Sequence, residues 1–178
     1  MAGHRRAAAP RPTPDVEAAL DLAARFLGTR PRSRWELERR LRRAGATDEV
    51  RLATLYRLTQ LGHVDDAAFV RWWAEQRDRH APRGRMRLEA ELRAKGIPRP
   101  LIEAWRAESE IADDHPDGLP ASEDERARRA LERHLRGRSV PNDPAGRQRL
   151  GTFLVRRGFD AETARQTIRA AADAEDLE

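Results

Sequence analysis

Apolar residues recur at helical spacing in block after block of this chain, and one phrase of that pattern appears three times. The phrase is Leu-x3-Leu-x3-Gly, at Leu37, Leu41 and Gly45, at Leu88, Leu92 and Gly96, and at Leu150, Leu154 and Gly158. Two leucines four apart share one face of an α-helix, and a glycine just past the last turn ends it. A second apolar-periodic stretch follows each glycine, over 50–61, 101–111 and 159–168. Three copies at intervals of 51 and 62 residues predict an array of one helical unit, in which neighbours complete one another's cores.

Punctuation between the stripes divides each unit into three helices. In the first, Thr13-Pro14 reads as a cap and first helical position, and Val16, Leu20, Ala23, Ala24 and Leu27 repeat up to Gly28. Ser33 and Glu36 form a capping box opening the helix of Leu37 and Leu41. A third helix, from about residue 47 to Leu61, stops at Gly62. The second unit opens at Asp65-Asp66, acids that satisfy free N–H groups at a helix start. Phe69, Trp72, Trp73 and Gln76 follow on one side, and the chain breaks between His80 and Gly84. Met86, Leu88 and Leu92 line the next helix, and Ile97-Pro98 begins one containing Leu101, Ile102 and Trp105. In the third unit Ser122 and Glu125 read as another capping box. Ala127, Ala130, Leu131 and Leu135 face inward there, with Arg126, Arg128, Arg129, Arg133 and Arg136 on the remaining surface. Asp143-Pro144 caps the helix of Leu150, Phe153 and Leu154, and Phe159-Asp160 leads into the last one.

No alternating, β-branched stretch predicts a strand. The expected fold is therefore all-α, about nine helices in three tandem three-helix repeats over 14–62, 63–112 and 122–173, with no sheet. Residues 1–13 are expected to be a disordered basic tail, 113–121 an acidic linker, and 174–178 a frayed acidic end.

Composition narrows the function. Of 178 residues, 39% are hydrophobic and 37% charged, enough for thin helical layers that each bury one stripe. No apolar run reaches the roughly 18 residues of a membrane helix, and no signal core opens the chain, so a cytoplasmic protein is expected. The absence of cysteine excludes disulfides, thiolate metal sites and cysteine nucleophiles. Every basic residue but Lys95 is arginine, a bias that GC-rich codons favour and whose planar fork suits phosphate and carboxylate. Charge is segregated: residues 25–43 carry a net +6, 71–99 a net +5, and 103–125 a net −8.

No enzyme chemistry emerges. The five histidines form no i,i+4 pair that would hold a metal. Asp65 and Asp66 could act as an acid–base pair, but helix capping explains them better. Isolated glycines offer no phosphate loop, and no cofactor is expected. Trp72 and Trp73 could stack on bases, yet their spacing with Phe69 places them mainly in the core, and Trp35 and Trp105 read the same way.

The arginines are the informative groups. Arg39, Arg40, Arg42 and Arg43 precede Gly45, Arg93 and Lys95 precede Gly96, and Arg156 and Arg157 precede Gly158. Arg83, Arg85 and Arg87 flank Gly84. Cations in a last helical turn complement the dipole, and Glu36 with Arg40 and Glu38 with Arg42 are spaced as intrahelical pairs. Four cations in five positions exceed two acids, and a surplus repeated at each unit predicts a basic track suited to phosphates.

These motifs in this order resemble the RecX family of recombinase regulators. The resemblance is strongest over Leu61-Gly62, Asp65-Asp66, Phe69, Trp73, Arg77, Gly84, Leu88, Leu92 and Lys95-Gly96-Ile97. Arg32-Ser33, Glu36-Leu37, Leu41 and Gly45 extend it to the first unit, and Phe153-Leu154, Arg156-Arg157 and Gly158-Phe159 to the third. It covers about residues 18–170 and departs at His63, Val70 and Arg83, where other residue types are usual. The resemblance implies an elongated, curved array, monomeric, that binds the groove of the filament formed by the RecA recombinase on single-stranded DNA. It implies a non-enzymatic role limiting strand exchange, ATP hydrolysis and co-protease action. The alternative reading of the residues is a free-standing helix-turn-helix protein that binds duplex DNA.

Overall fold

The computed structural model describes residues 13–111 and 122–175. The expected basic tail up to residue 12, the linker and the last three residues lie outside them. Among the described residues there are nine α-helices and no strand: α1 (Val16–Leu27), α2 (Arg34–Arg43), α3 (Asp48–Gln60), α4 (Asp66–His80), α5 (Arg85–Ala94), α6 (Arg99–Ile111), α7 (Glu123–Leu135), α8 (Pro144–Arg156) and α9 (Ala161–Glu175). They form two compact units, one up to Asp65 and one from Asp66 onward.

The first unit is the first repeat. Its core joins Ala19 and Ala23 of α1, Leu37 and Leu41 of α2, and Leu55 and Leu58 of α3. The cap of α1 is Asp15, whose carboxylate accepts the Ala18 N–H at 2.9 Å. The helix therefore starts later than the Thr13-Pro14 pair predicts, because a charged acceptor gains from the helix dipole as well as the hydrogen bond. At α2 the capping box forms as expected: Ser33 Oγ accepts from Glu36 N–H at 3.2 Å, and Glu36 accepts from Ser33 N–H at 3.3 Å. Glu36 also receives both guanidinium nitrogens of Arg30, at 2.8 and 3.2 Å. Its carboxylate thus serves the entry to the helix, and the Glu36–Arg40 pair suggested by spacing does not form.

The recurring phrase has one geometry in all three repeats. In each, the residue after glycine donates its N–H back to the carbonyl of the second leucine: Ala46 to Leu41 at 3.2 Å, Ile97 to Leu92 at 3.1 Å and Phe159 to Leu154 at 3.3 Å. This is a Schellman helix end, with glycine in the left-handed conformation. The donor residue joins the same core as its leucine in every case, so one phrase both stops a helix and aims the next.

The second unit holds two repeats, each with its own core. Phe69, Val70, Ala74, Leu88, Leu92, Ile97, Ile102 and Trp105 pack among α4, α5 and α6. Ala127, Ala130, Leu131, Leu150, Leu154, Phe159 and Ile168 pack among α7, α8 and α9. A seam of backbone and buried charge joins the two. Gly84 N–H donates to the Arg157 carbonyl at 3.0 Å, and the backbones meet so closely that a Cβ on Gly84 would lie 2.2 Å from Gly158. Beside them Arg126 Nε donates to Asp78 Oδ1 at 2.8 Å, with side-chain exposures of 3% and 0%. Glu123 completes the seam, accepting the Arg85 N–H at 2.9 and 3.0 Å.

Several expectations change. Arg126 points into the seam rather than to the surface, because Asp78 and the Trp105 ring at 5.6 Å receive its guanidinium. Trp35 is 38% exposed and Met86 65% exposed, so neither is core. Trp105 is buried as expected. The second capping box is half formed: Ser122 Oγ accepts from Glu125 N–H, but the Glu125 carboxylate goes to Arg128 and Arg129. Helix α9 continues through Glu175, past the repeat boundary expected at 173, and the Glu175 carboxylate accepts Val140 N–H at 3.0 Å.

Candidate nucleic-acid interface

The arginines that end the middle helices differ from repeat to repeat in what holds them. In the first repeat, Arg42 pairs with Glu38 at 2.6 Å one turn earlier. Arg39 lies over the exposed Trp35 ring at 5.0 Å. Arg40 and Arg43 are exposed, and no acidic side chain among the described residues pairs with them. A helix of net positive charge therefore ends in two solvated guanidiniums and one resting on an aromatic face.

In the second repeat one acid, Glu91, gathers several of the cations. Glu91 receives Arg77 at 2.8 Å, Arg83 at 3.1 Å and Arg87 at 3.6 Å, and it accepts the Trp73 indole N–H at 3.1 Å. Lys95 and Arg77 sit over the Trp73 ring at 4.8 and 4.5 Å. Arg93 pairs with Glu89 at 2.5 Å. Arg85 presents its backbone N–H to Glu123. The cations around Trp73 are thus held by Glu91 and by the indole face rather than left to solvent. Glu91 carries no motif in the sequence, although it stands four residues from both Arg87 and Lys95, the spacing of intrahelical pairs.

In the third repeat, Arg156 is exposed with no acidic partner among the described residues. Arg157 is half-buried, lies over the Phe153 ring at 4.9 Å and donates to the Pro82 carbonyl at 3.3 Å. Burial, then the nearby Arg83 and Arg133, holds the Arg157 pKa below the usual arginine value. Arg133 donates to the Arg79 carbonyl at 2.8 Å. Three guanidiniums therefore converge where the last turn of α4 meets α7 and α8, and backbone carbonyls receive Arg133 and Arg157.

Leu37, Leu41, Phe69, Leu88, Leu92 and Leu154 are fully or almost fully buried, and Leu150 is 5% exposed. Asp66 opens α4, with Asp65 just before it and Gly62 in the preceding turn. Among the described residues, no group of three His, Asp or Glu side chains could hold a metal ion, and no helix is long and apolar enough to cross a membrane.

Comparison with known proteins agrees with the repeat structure. Models of the first, second and third three-helix domains of RecX match residues 19–58, 65–104 and 122–168, in that order. The chain is 34% identical to the regulatory protein RecX of Mycobacterium avium strain 104 over 161 residues, 89% of this chain and 87% of that one. It is 37% identical to the regulatory protein RecX of Thermobifida fusca over 164 residues, 90% of this chain and 82% of that one. The crystal structure of RecX from Lactobacillus salivarius superposes with a TM-score of 0.69 at 18% identity, covering 90% of this chain and 97% of that one, a likeness of fold. With all three domains matched in order and a third of the residues identical to curated relatives over most of their length, the chain belongs to the RecX family of regulatory proteins.

Proposed function

We propose that this protein is a non-enzymatic regulator that binds the filament of the RecA recombinase on single-stranded DNA and restrains its strand exchange, ATP hydrolysis and co-protease action. The observation that carries this reading is the ordered match of all three domains to a family of regulatory proteins. Arg40, Arg43 and Arg156 support it, as solvated guanidiniums that can meet phosphate without first leaving an acid. The protein acts as a monomer in the cytoplasm and needs no cofactor.

A free-standing helix-turn-helix protein is less favoured. The third helix of such a unit reads bases through polar or basic side chains on its outer face. Helix α3 instead exposes Leu52 and Tyr56, and its arginines are engaged, Arg51 with Asp48 and Arg57 with Glu17. The test is to add the protein to RecA with single-stranded DNA and follow ATP hydrolysis and co-sedimentation. The protein should co-sediment with filaments and lower hydrolysis at ratios near one per RecA or below. Tight duplex binding with no effect on RecA would overturn the proposal in favour of the alternative.

A further inference from the structure

Helix α8 differs from its neighbours in one respect that the repeat pattern hides. Every other helix among the described residues contains at least one Asp or Glu, and many of their arginines pair with an acid three or four residues away. Helix α8 contains none, while it carries Arg147, Arg149 and Arg156, with Arg157 as its C-cap. Arg149 and Arg156 are exposed, lie two turns apart, and have no acidic partner among the described residues. Positions 149, 153 and 156 share one face of the helix, so Phe153 stands between the two arginines.

That face borders a groove of about 750 Å³ lined by Gln148, Arg149, Phe153, Arg156, Arg157 and the His134 ring from the last turn of α7, with no carboxylate in the lining. The His134 and Phe153 rings are stacked with centroids 3.9 Å apart and planes 21° from parallel. His134 is exposed while Phe153 is half-buried, so the phenylalanine backs a flat polar ring that faces solvent. Cations spaced along a groove, a planar ring at its wall, an amide and no negative charge are the combination that holds phosphate and base together. A protein face rich in acid would satisfy the arginines but leave the ring without a counterpart.

We infer that this α7–α8 groove binds a short run of single-stranded DNA, with Arg149 and Arg156 on successive phosphates and one base stacked on His134. The inference rests on the proposed filament reading only for its biological setting, since the groove would hold single-stranded DNA without RecA. Neither His134 nor Arg149 belongs to the leucine-glycine phrase, and the groove lies in one repeat rather than along a track shared by three.

The experiment is fluorescence anisotropy of the full chain with a labelled oligothymidylate over a range of salt, run beside RecA ATPase inhibition. His134→Ala should weaken oligonucleotide binding about tenfold and His134→Phe should restore it, because stacking needs a ring and not its nitrogens. Arg149→Gln with Arg156→Gln should weaken binding and lower the salt slope by about 1.4, the share of two phosphates on a single strand. All three side chains are exposed, and thermal unfolding checks that each variant folds. Unchanged oligonucleotide affinity in the folded variants overturns the inference, whatever happens to RecA inhibition. Unchanged oligonucleotide affinity with abolished filament binding would assign the groove to a protein face instead. Variant-sensitive oligonucleotide binding with no effect of the wild-type protein on RecA would sustain this inference while removing the proposed function.

Discussion

Asp160 accepts the N–H groups of Glu162 and Thr163 at 2.9 and 2.8 Å and the Thr163 hydroxyl at 2.8 Å, capping α9. Those donors, the Thr163 N–H first, hold its carboxyl below the usual Asp range. A folded pKa below the unfolded one gives stability that is present above the ordinary Asp range and is lost as pH falls through the depressed value. Losing this helix cap in Asp160→Ala should cost about 1 kcal/mol near neutrality, and urea titrations should show the gap to wild type narrowing in acid. A gap that stays constant far into acid would mean the charge of the cap contributes nothing. Gly158 makes a second test at this scale. Its φ is +94°, and a Cβ would lie 2.4 Å from Arg87 Cβ and 2.6 Å from Arg87 N. Gly45 has φ +86° with nothing within 4 Å of its Cβ position. Gly45→Ala should cost only the backbone strain, about 1–2 kcal/mol, and Gly158→Ala clearly more, because it must also move α5 away. Equal destabilisation of the two variants in chemical denaturation would show that the seam yields freely.

Pairs of helices are joined by interactions that no single helix announces. Asp78 lies near the end of α4 and Arg126 in the first turns of α7, 48 residues later, yet they form the most buried ion pair among the described residues. A carboxylate and a guanidinium taken from water lose solvation that their attraction only partly returns. Arg126→Ala leaves the Asp78 carboxylate buried without its guanidinium and should cost about 3–5 kcal/mol, whereas Asp78→Leu with Arg126→Met should be near neutral or stabilising. A double variant as unstable as Arg126→Ala would mean that the pair is needed for packing rather than charge balance. The reason sequence alone misjudged Arg126 lies here too. On the helical pattern of α7 it falls beside Ala127 at the edge of the apolar stripe, and an arginine at an edge reads as solvated until the partner helix supplies an acid.

For the whole chain, the proposed phosphate contact is the quantity to test. The three middle-helix ends carry similar cations, but Glu91 and Glu89 engage arginines of the second repeat while Arg40, Arg43 and Arg156 have no such acid among the described residues. Replacing Arg39, Arg40, Arg42 and Arg43 by glutamine should weaken filament binding and flatten its dependence on salt, by about 0.7 to 0.9 in log–log slope for each phosphate no longer neutralised. An unchanged slope with a folded variant would assign those arginines to the helix end alone. The same replacement at Arg83 and Arg87 should move the slope less, since Glu91 already offsets their charge.

The helices were legible in the order of residues. Apolar periodicity, the Ser33–Glu36 box and the leucine-glycine phrase are local signals, fixed by backbone hydrogen bonding and side-chain direction within one or two turns, and they placed nine helices in three repeats. Which charges meet was settled by packing. Glu91 gathers Arg77 and Arg83 from 14 and eight residues away, Arg126 reaches Asp78 across 48, and Gly84 closes on Gly158 across 74. Ion pairs and backbone approaches at such separations depend on how helices pack, and packing depends on volume and shape summed over many residues rather than on any spacing along the chain. What reached across both levels was the lack of acid in α8, plain in the letters but without meaning until the fold set His134 and Phe153 beside those arginines.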